Sequence, residues 1–175
     1  MSDQTTTIDV LHIDDDENQL FYTRQILEQF DPYLTVHSVL SSADVFDRLQ
    51  LDPYDCLITD YLMPGMNGIE FAEKIRETSN IPIIIYTGRG SEEVASNAFN
   101  VGVNDYIRKE TDPNHYQILA RRIRAAVNKK RAEERVIQER NRAQRYLDVA
   151  GAMIVVLDVE GRISLLNQKG CEILE

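Results

Sequence analysis

The sequence predicts an α/β fold: a doubly wound, five-stranded parallel sheet with helices on both faces. Three observations carry this reading. Apolar runs of five or six residues alternate with longer segments of helical period through the first 127 residues. Two of these runs, "DCLIT" and "IPIIIY", show almost no polar alternation, as strands covered on both faces require. Capping and turn residues punctuate the junctions.

Each element follows in order. "IDVLHI" (8–13) is the first strand, and a helix follows with apolar positions at Leu20, Phe21, Ile26, Leu27 and Phe30. "LTVHSV" (34–39) is the second strand, and "SADVFDRLQ" (42–50) is a helix capped by Ser41 or Ser42. "DCLIT" (55–59) is the third strand. Pro64-Gly65 and Asn67-Gly68 break the chain before a helix from Gly68 to Thr78, spaced by Ile69, Phe71, Ala72 and Ile75. "IPIIIY" (81–86) is the fourth strand. "SEEVASNAFNVG" (91–102) reads as a helix capped by Ser91, with acidic residues in its first turn and Gly102 at its end. "NDYIRK" (104–109) is the fifth strand, and Asp112-Pro113 offers an N-cap and a first-turn proline.

The helix that starts there has no internal signal to stop. No glycine or proline interrupts the chain from Asn114 to Leu147, and after Val127 the apolar seam thins to Ala132, Val136, Ile137, Ala143, Tyr146 and Leu147. A solvated connector fits this pattern at least as well as a coiled coil. Residues 153–167 then read as a hairpin turning at Glu160-Gly161, and "QKGCEILE" begins a helix. A hairpin with one helical turn cannot bury a core of its own, so the second domain is expected to be cut short, with the natural chain continuing. The domain reading is 1–127, a helical linker over 128–147, and a partial module over 148–175.

Charge follows the same division. Residues 1–120 carry 7 basic and 21 acidic side chains, residues 121–145 carry 10 and 3, and the last thirty carry 2 and 5. No apolar run approaches the ~20 residues needed to span a bilayer, and the start lacks a secretory signal. Cys56 and Cys171 read as isolated reduced thiols. The expectation is a cytoplasmic protein with no membrane segment in this chain.

In open α/β sheets, chemistry sits at the carboxyl ends of the strands. Those ends carry Asp14, Asp15 and Asp16 after the first strand, Asp60 after the third, Thr87 after the fourth and Lys109 at the fifth. Converging carboxylates repel one another, and an oxygen-loving divalent cation such as Mg²⁺ resolves the repulsion. A carboxylate, a cation, an ammonium and a hydroxyl are the parts that phosphoryl transfer to an aspartate needs.

"HIDDDEN", "LITDYLMPGMNG", "IIIYTGRG" and "DYIRK" resemble, in order and spacing, the four motifs of response-regulator receiver domains, over about residues 7–127. The resemblance implies the flavodoxin-like strand order 2-1-3-4-5. It implies Asp60 as phosphoacceptor, and a Mg²⁺ site of Asp14, Asp15, Asp60 and the backbone carbonyl of Leu62, with Asp15 the favoured direct ligand. Thr87 and Lys109 would bind the phosphoryl group, and Tyr106 would be the aromatic switch. The implied partner is a histidine kinase or a phosphotransfer protein. The family's lysine is usually followed by proline; Glu110 stands there in this chain. The tail, "YLDVAGAMIVVLDVEGRISLLNQKGCEILE", resembles the opening third of a PAS domain, and most of the ligand-contacting part of such a domain lies outside it.

These features give a phosphorylatable receiver of a two-component phosphorelay, relaying its state through the linker helix to a PAS module. It is expected not to be an enzyme beyond its own phosphorylation and dephosphorylation, and the sequence contains no ATP-binding kinase segment. A homodimer through the linker helix remains open. An alternative is a Mg²⁺-dependent aspartyl phosphatase acting on a small phosphate ester. Another is a DNA regulator working through the basic helix 121–145, disfavoured because no leucine zipper follows. "DDDENQ" starts like a calcium loop but has Gln19 where glycine is needed. "TGRGS" lacks the Gly-Lys-Ser/Thr of a P-loop. His12, His37 and His115 read as structural.

Overall fold

The computed structural model describes residues 6–51, 53–149 and 152–174, and these divide into two compact units, Met1–Lys130 and Arg131–Glu175. In the first unit β1 (Ile8–Ile13), β2 (Leu34–Val39), β3 (Cys56–Thr59), β4 (Ile83–Thr87) and β5 (Asp105–Arg108) form one sheet. Its order is β2-β1-β3-β4-β5 with every pairing parallel. The helices α1 (Glu17–Phe30), α2 (Ser42–Leu51), α3 (Gly68–Arg76) and α4 (Glu92–Asn100) connect successive strands. The expected architecture and strand order are both present.

Period-two alternation along the strands builds two cores. Ile8, Val10, Ile58, Ile84 and Tyr86 point to one face and pack with Leu27 of α1 and with Leu119, Ile123 and Val127 of the last helix of this unit. Leu11, Ile13, Leu57, Ile83 and Ile85 point to the other and meet Val45, Phe71, Ile75 and Ala98 of α2, α3 and α4. Burying each such side chain is worth about 1.5–3 kcal/mol, so the sheet fixes where its strand ends lie.

Boundaries differ from the sequence reading in instructive places. The fourth strand begins at Ile83, not Ile81. Pro82 has no N–H to give to a ladder, although its carbonyl accepts from Leu57. At the other end β4 runs on through Thr87, which pairs with Arg108. Helix α3 ends at Arg76, and its N-terminus is a capping box: the Asn67 side chain accepts from Glu70 N–H while Glu70 accepts from Asn67 N–H.

Helix α5 runs from Asn114 to Val149. Among its described side chains the buried positions end at Val127, and Val136, Ile137 and Tyr146 are exposed. In the second unit β6 (Val155–Leu157) pairs antiparallel with β7 (Ile163–Leu166), the hairpin expected from sequence. It turns at Gly161, which takes a φ of 80° that favours glycine. Helix α6 (Gln168–Leu174) spans seven residues, longer than the single turn expected. Asn167 and Gly170 are the buried residues among those described in this unit. The Asn167 side chain uses its full hydrogen-bonding capacity. Its amide donates to the Leu147 and Ala152 carbonyls, and its oxygen accepts from the Ile154 and Gly170 N–H groups.

Candidate functional site

The site is built by the backbone before any side chain enters. Asp60 N–H donates to the Ile13 carbonyl (3.0 Å), so pairing between β1 and β3 extends one residue past β3 and places Asp60 beside Asp14. Lys109 N–H donates to the Thr87 carbonyl (2.8 Å), which does the same for the lysine at the end of β5. Gly68 holds the intervening loop. Its N–H donates to Tyr61, and a Cβ there would lie 2.5 Å from the Asp60 carbonyl, so only glycine lets α3 start this close to the strand end.

On this frame the Lys109 ammonium bridges two carboxylates, donating to Asp14 Oδ2 (2.5 Å) and Asp60 Oδ1 (3.1 Å). Asp14 and Asp60 are both buried, with relative exposures of 2% and 7%. Two buried carboxylates are tolerable only with a cation between them, and the ammonium supplies that charge. Their remaining oxygens are also held. Asp14 Oδ1 accepts from Asp16 N–H (3.0 Å), and Asp60 Oδ2 accepts from Leu62 N–H (2.8 Å). Asp60 is thus oriented at the rim of the sheet, where the single ammonium offsets one of the two carboxylate charges.

The other residues singled out from sequence are placed differently. Asp15 is exposed, whereas Asp14 is the member of the pair that meets Lys109. Asp16 caps α1, accepting from Asn18 and Gln19 N–H. Thr87 is buried, and its hydroxyl is engaged by one neighbour, donating to the Arg89 carbonyl (3.0 Å) and accepting from Arg89 N–H (3.2 Å). The Tyr106 hydroxyl is buried without a hydrogen-bond partner among the described residues. It lies directly over Gly90, where a Cβ would come within 1.5 Å of it. Burial raises the Tyr106 phenol above its usual range.

A metal fits the chemistry of this donor set, since carboxylate and carbonyl oxygens are the ligands Mg²⁺ takes. The described residues contain no cluster of three or more His, Cys, Asp or Glu side chains arranged to hold an ion. With Lys109 between them, one of the two negative charges of Asp14 and Asp60 is offset by the ammonium.

Sequence reasoning took His12 as structural and did not foresee its place under the site. His12 is fully buried, and neither ring nitrogen has a hydrogen-bond partner among the described residues. Burial first, and the Lys109 charge second, lower its pKa to about 3, so the ring is neutral. On the same face of the sheet the Tyr86 ring lies beneath Lys109 Nζ, 5.4 Å from its centroid, with its hydroxyl 2.6 Å from His115 Nε2. Arg76 was missed too: its guanidinium donates to the Ser79, Ile81 and Gly102 carbonyls and to Asn104, tying the end of α3 to the entry of β4 and the turn after α4. The contacts of Arg76 with Gly102 and Asn104 and of Tyr86 with His115 join residues 26 to 29 apart in sequence, and no local pattern announces them.

A parallel sheet of this order with an aspartate–lysine–aspartate cluster at its strand ends describes a signalling receiver, and the chain belongs to the response regulator receiver domain family, which matches residues 10–121. It is 32% identical over 116 residues to the transcriptional regulatory protein YvrH of Bacillus subtilis, a match covering 66% of this chain and 47% of that protein. It is 31% identical over 109 residues to the cyclic di-GMP phosphodiesterase response regulator RpfG of Xanthomonas campestris, covering 61% of this chain and 29% of that one. The chain therefore spans less than half the length of either relative. Among solved structures, a response regulator receiver domain protein from Clostridium thermocellum is similar at 26% identity with a TM-score of 0.62, covering 71% of this chain and 98% of its own. The Francisella response regulator 1452 receiver domain shares the fold at 21% identity and a TM-score of 0.63, over 71% and 99%. The matched stretch is the receiver of a two-component response regulator. Among the described residues, no helix is long and apolar enough to cross a membrane.

Proposed function

We propose that Asp60 is the phosphoacceptor of this receiver, and that the donor is a phosphohistidine on a partner kinase or phosphotransfer protein. The observation that carries the reading is the Lys109 ammonium bridging Asp14 and Asp60 at the ends of β1, β3 and β5. An Asp60 carboxylate oxygen attacks phosphorus, the P–N bond of the phosphohistidine breaks, and the imidazole leaves with the electron pair and takes up a proton. The product is an acyl phosphate on Asp60. Lys109 is placed to neutralise the incoming phosphoryl oxygens. Asp14, Asp15, Asp60 and the Leu62 carbonyl are the oxygen donors that would hold Mg²⁺, which when bound offsets the negative charge gathered around the phosphorus.

Thr87 would donate its hydroxyl to the phosphoryl group, for which it must first leave Arg89. That exchange would free the loop that follows β4, and Tyr106, packed over Gly90, would respond as the switch. The reading assigns 1–127 to the receiver, 128–147 to a linker helix and 148–175 to the opening of a PAS-like module. The hairpin and the fully bonded Asn167 support the last assignment. The relay would pass from the receiver through α5 to that module.

The test is incubation with acetyl phosphate and Mg²⁺, followed by mass mapping. An acid-stable, base-labile phosphoryl adduct on the peptide containing Asp60 is expected. It should be lost in Asp60→Asn and kept in Asp16→Asn, where asparagine still caps α1. An adduct that survives Asp60→Asn would overturn the assignment.

A further inference from the structure

The helix that leaves the receiver begins against a side chain lying directly under the phosphorylation site. Tyr86 is fully buried in β4, one residue before Thr87. One side of its ring faces the Lys109 ammonium at 5.4 Å. Its hydroxyl reaches His115 in the first turn of α5. The tautomer of that histidine is fixed by its surroundings. His115 Nδ1 meets the Asp112 carbonyl, which can only accept, so Nδ1 carries the proton and Nε2 accepts from the Tyr86 hydroxyl. The two rings also stack, with centroids 5.8 Å apart and planes 24° apart. His115 is itself 6% exposed, so this joint is closed to solvent.

We infer that Tyr86 and His115 are positioning residues that carry the state of Lys109 to the first turn of α5, a second line of output beside Thr87 and Tyr106. This rests on the proposal that Asp60 is phosphorylated. Once Asp60 is an acyl phosphate, Lys109 exchanges its contact with the Asp60 carboxylate for phosphoryl oxygens, and its place over the Tyr86 ring changes. The ring cannot absorb that change freely, because its far end is hydrogen-bonded to α5. Packed, fully bonded groups shift between discrete arrangements and pass a small displacement on. Helix α5 runs from the receiver into the second unit.

The experiment compares the wild-type chain with Tyr86→Phe, His115→Gln, their double variant and Tyr106→Ala, each with and without acetyl phosphate and Mg²⁺. Mass spectrometry counts phosphoryl groups on Asp60, and hydrogen exchange is read on peptides covering 114–123. Tyr86→Phe keeps the ring under Lys109 and removes only the hydroxyl. In the wild type, phosphorylation should change exchange in that segment by about fivefold or more, the lower end of usual coupling. Tyr86→Phe and His115→Gln should each be phosphorylated to the same extent yet lose most of that response, and the double variant should lose no more than either. A wild-type response retained in Tyr86→Phe and His115→Gln, or lost only in Tyr106→Ala, overturns the inference and leaves the phosphoacceptor assignment standing. Absence of phosphate on wild-type Asp60 overturns both.

Discussion

Replacing Lys109 by methionine should destabilise the receiver sharply while leaving its packing in place. The methionine stem still covers the Tyr86 ring, so the substitution removes charge and little volume. At rest the ammonium contacts Asp14 at 2.5 Å and Asp60 at 3.1 Å, and the three side chains are 16%, 2% and 10% exposed. At an effective dielectric of 20, each contact amounts to about 5–7 kcal/mol of Coulomb attraction before desolvation. Desolvation cancels much of it, and the cost of stranding buried charge by deleting one partner is about 3–5 kcal/mol. Here a partly open rim lets water reach the stranded carboxylates, so a loss of about 3 kcal/mol is expected. For a chain of this size that lowers the melting temperature by about 6–12 °C. The assay is urea or thermal unfolding followed by circular dichroism in a metal chelator, repeated with Mg²⁺. Mg²⁺ should restore more stability to Lys109→Met than to the wild type, because the carboxylates no longer spend their charge on the ammonium. Asp14→Asn combined with Lys109→Met should cost less than the two separately, with a coupling of roughly 1–3 kcal/mol. A Lys109→Met loss below about 1 kcal/mol in chelator would refute the claim that the ammonium is what makes two buried carboxylates tolerable.

Other expectations follow from groups around the site. Burial raises the Tyr86 phenol far above its ordinary value, so its stabilising share is complete below the unfolded pKa of about 10 and declines as pH rises past it; alkaline unfolding should be shallower in Tyr86→Phe than in the wild type. Gly90→Ala places a methyl against the Tyr106 hydroxyl and should cost about 1–3 kcal/mol in urea unfolding. That cost should shrink in a Tyr106→Phe background, where the nearest atom is gone. Asn167→Asp replaces two amide donors by acceptors facing the Leu147 and Ala152 carbonyls. It should cost about 2 kcal/mol locally, seen as lost hydrogen-exchange protection at Ile154 and Gly170; unchanged protection there would show that Asn167 does not hold the second unit together.

What could be read from the sequence, and what could not, divides along a physical line. The strands from Ile8 to Ile13 and from Leu34 to Val39 were legible to the residue because each apolar run is bounded by polar turns. The gathering of Asp14, Asp60 and Lys109 was legible because a parallel sheet brings its carboxyl ends to one rim. The Asn67–Glu70 capping box was also present in the sequence as N-x-x-E, but the adjacent glycine read more simply as a break. Other features had no local signal. That Lys109 closes on both aspartates, that Arg89 holds Thr87, and that Asp14 rather than Asp15 is turned inward depend on rotamers chosen by tertiary packing. Tyr86 and His115 are 29 residues apart, and a tyrosine in an apolar strand or a histidine in a first turn suggests only core or cap.

On the proposed reading, the resting arrangement would also let the site switch. Three polar groups that phosphorylation would recruit are already satisfied by partners they must give up: Lys109 by two carboxylates, Thr87 by Arg89, Asp60 by Leu62 N–H. Because each of those bonds is exchanged rather than created, the net free energy between the two states is a small difference of large terms. A single phosphoryl group can then move the balance by the few kcal/mol that population shift demands.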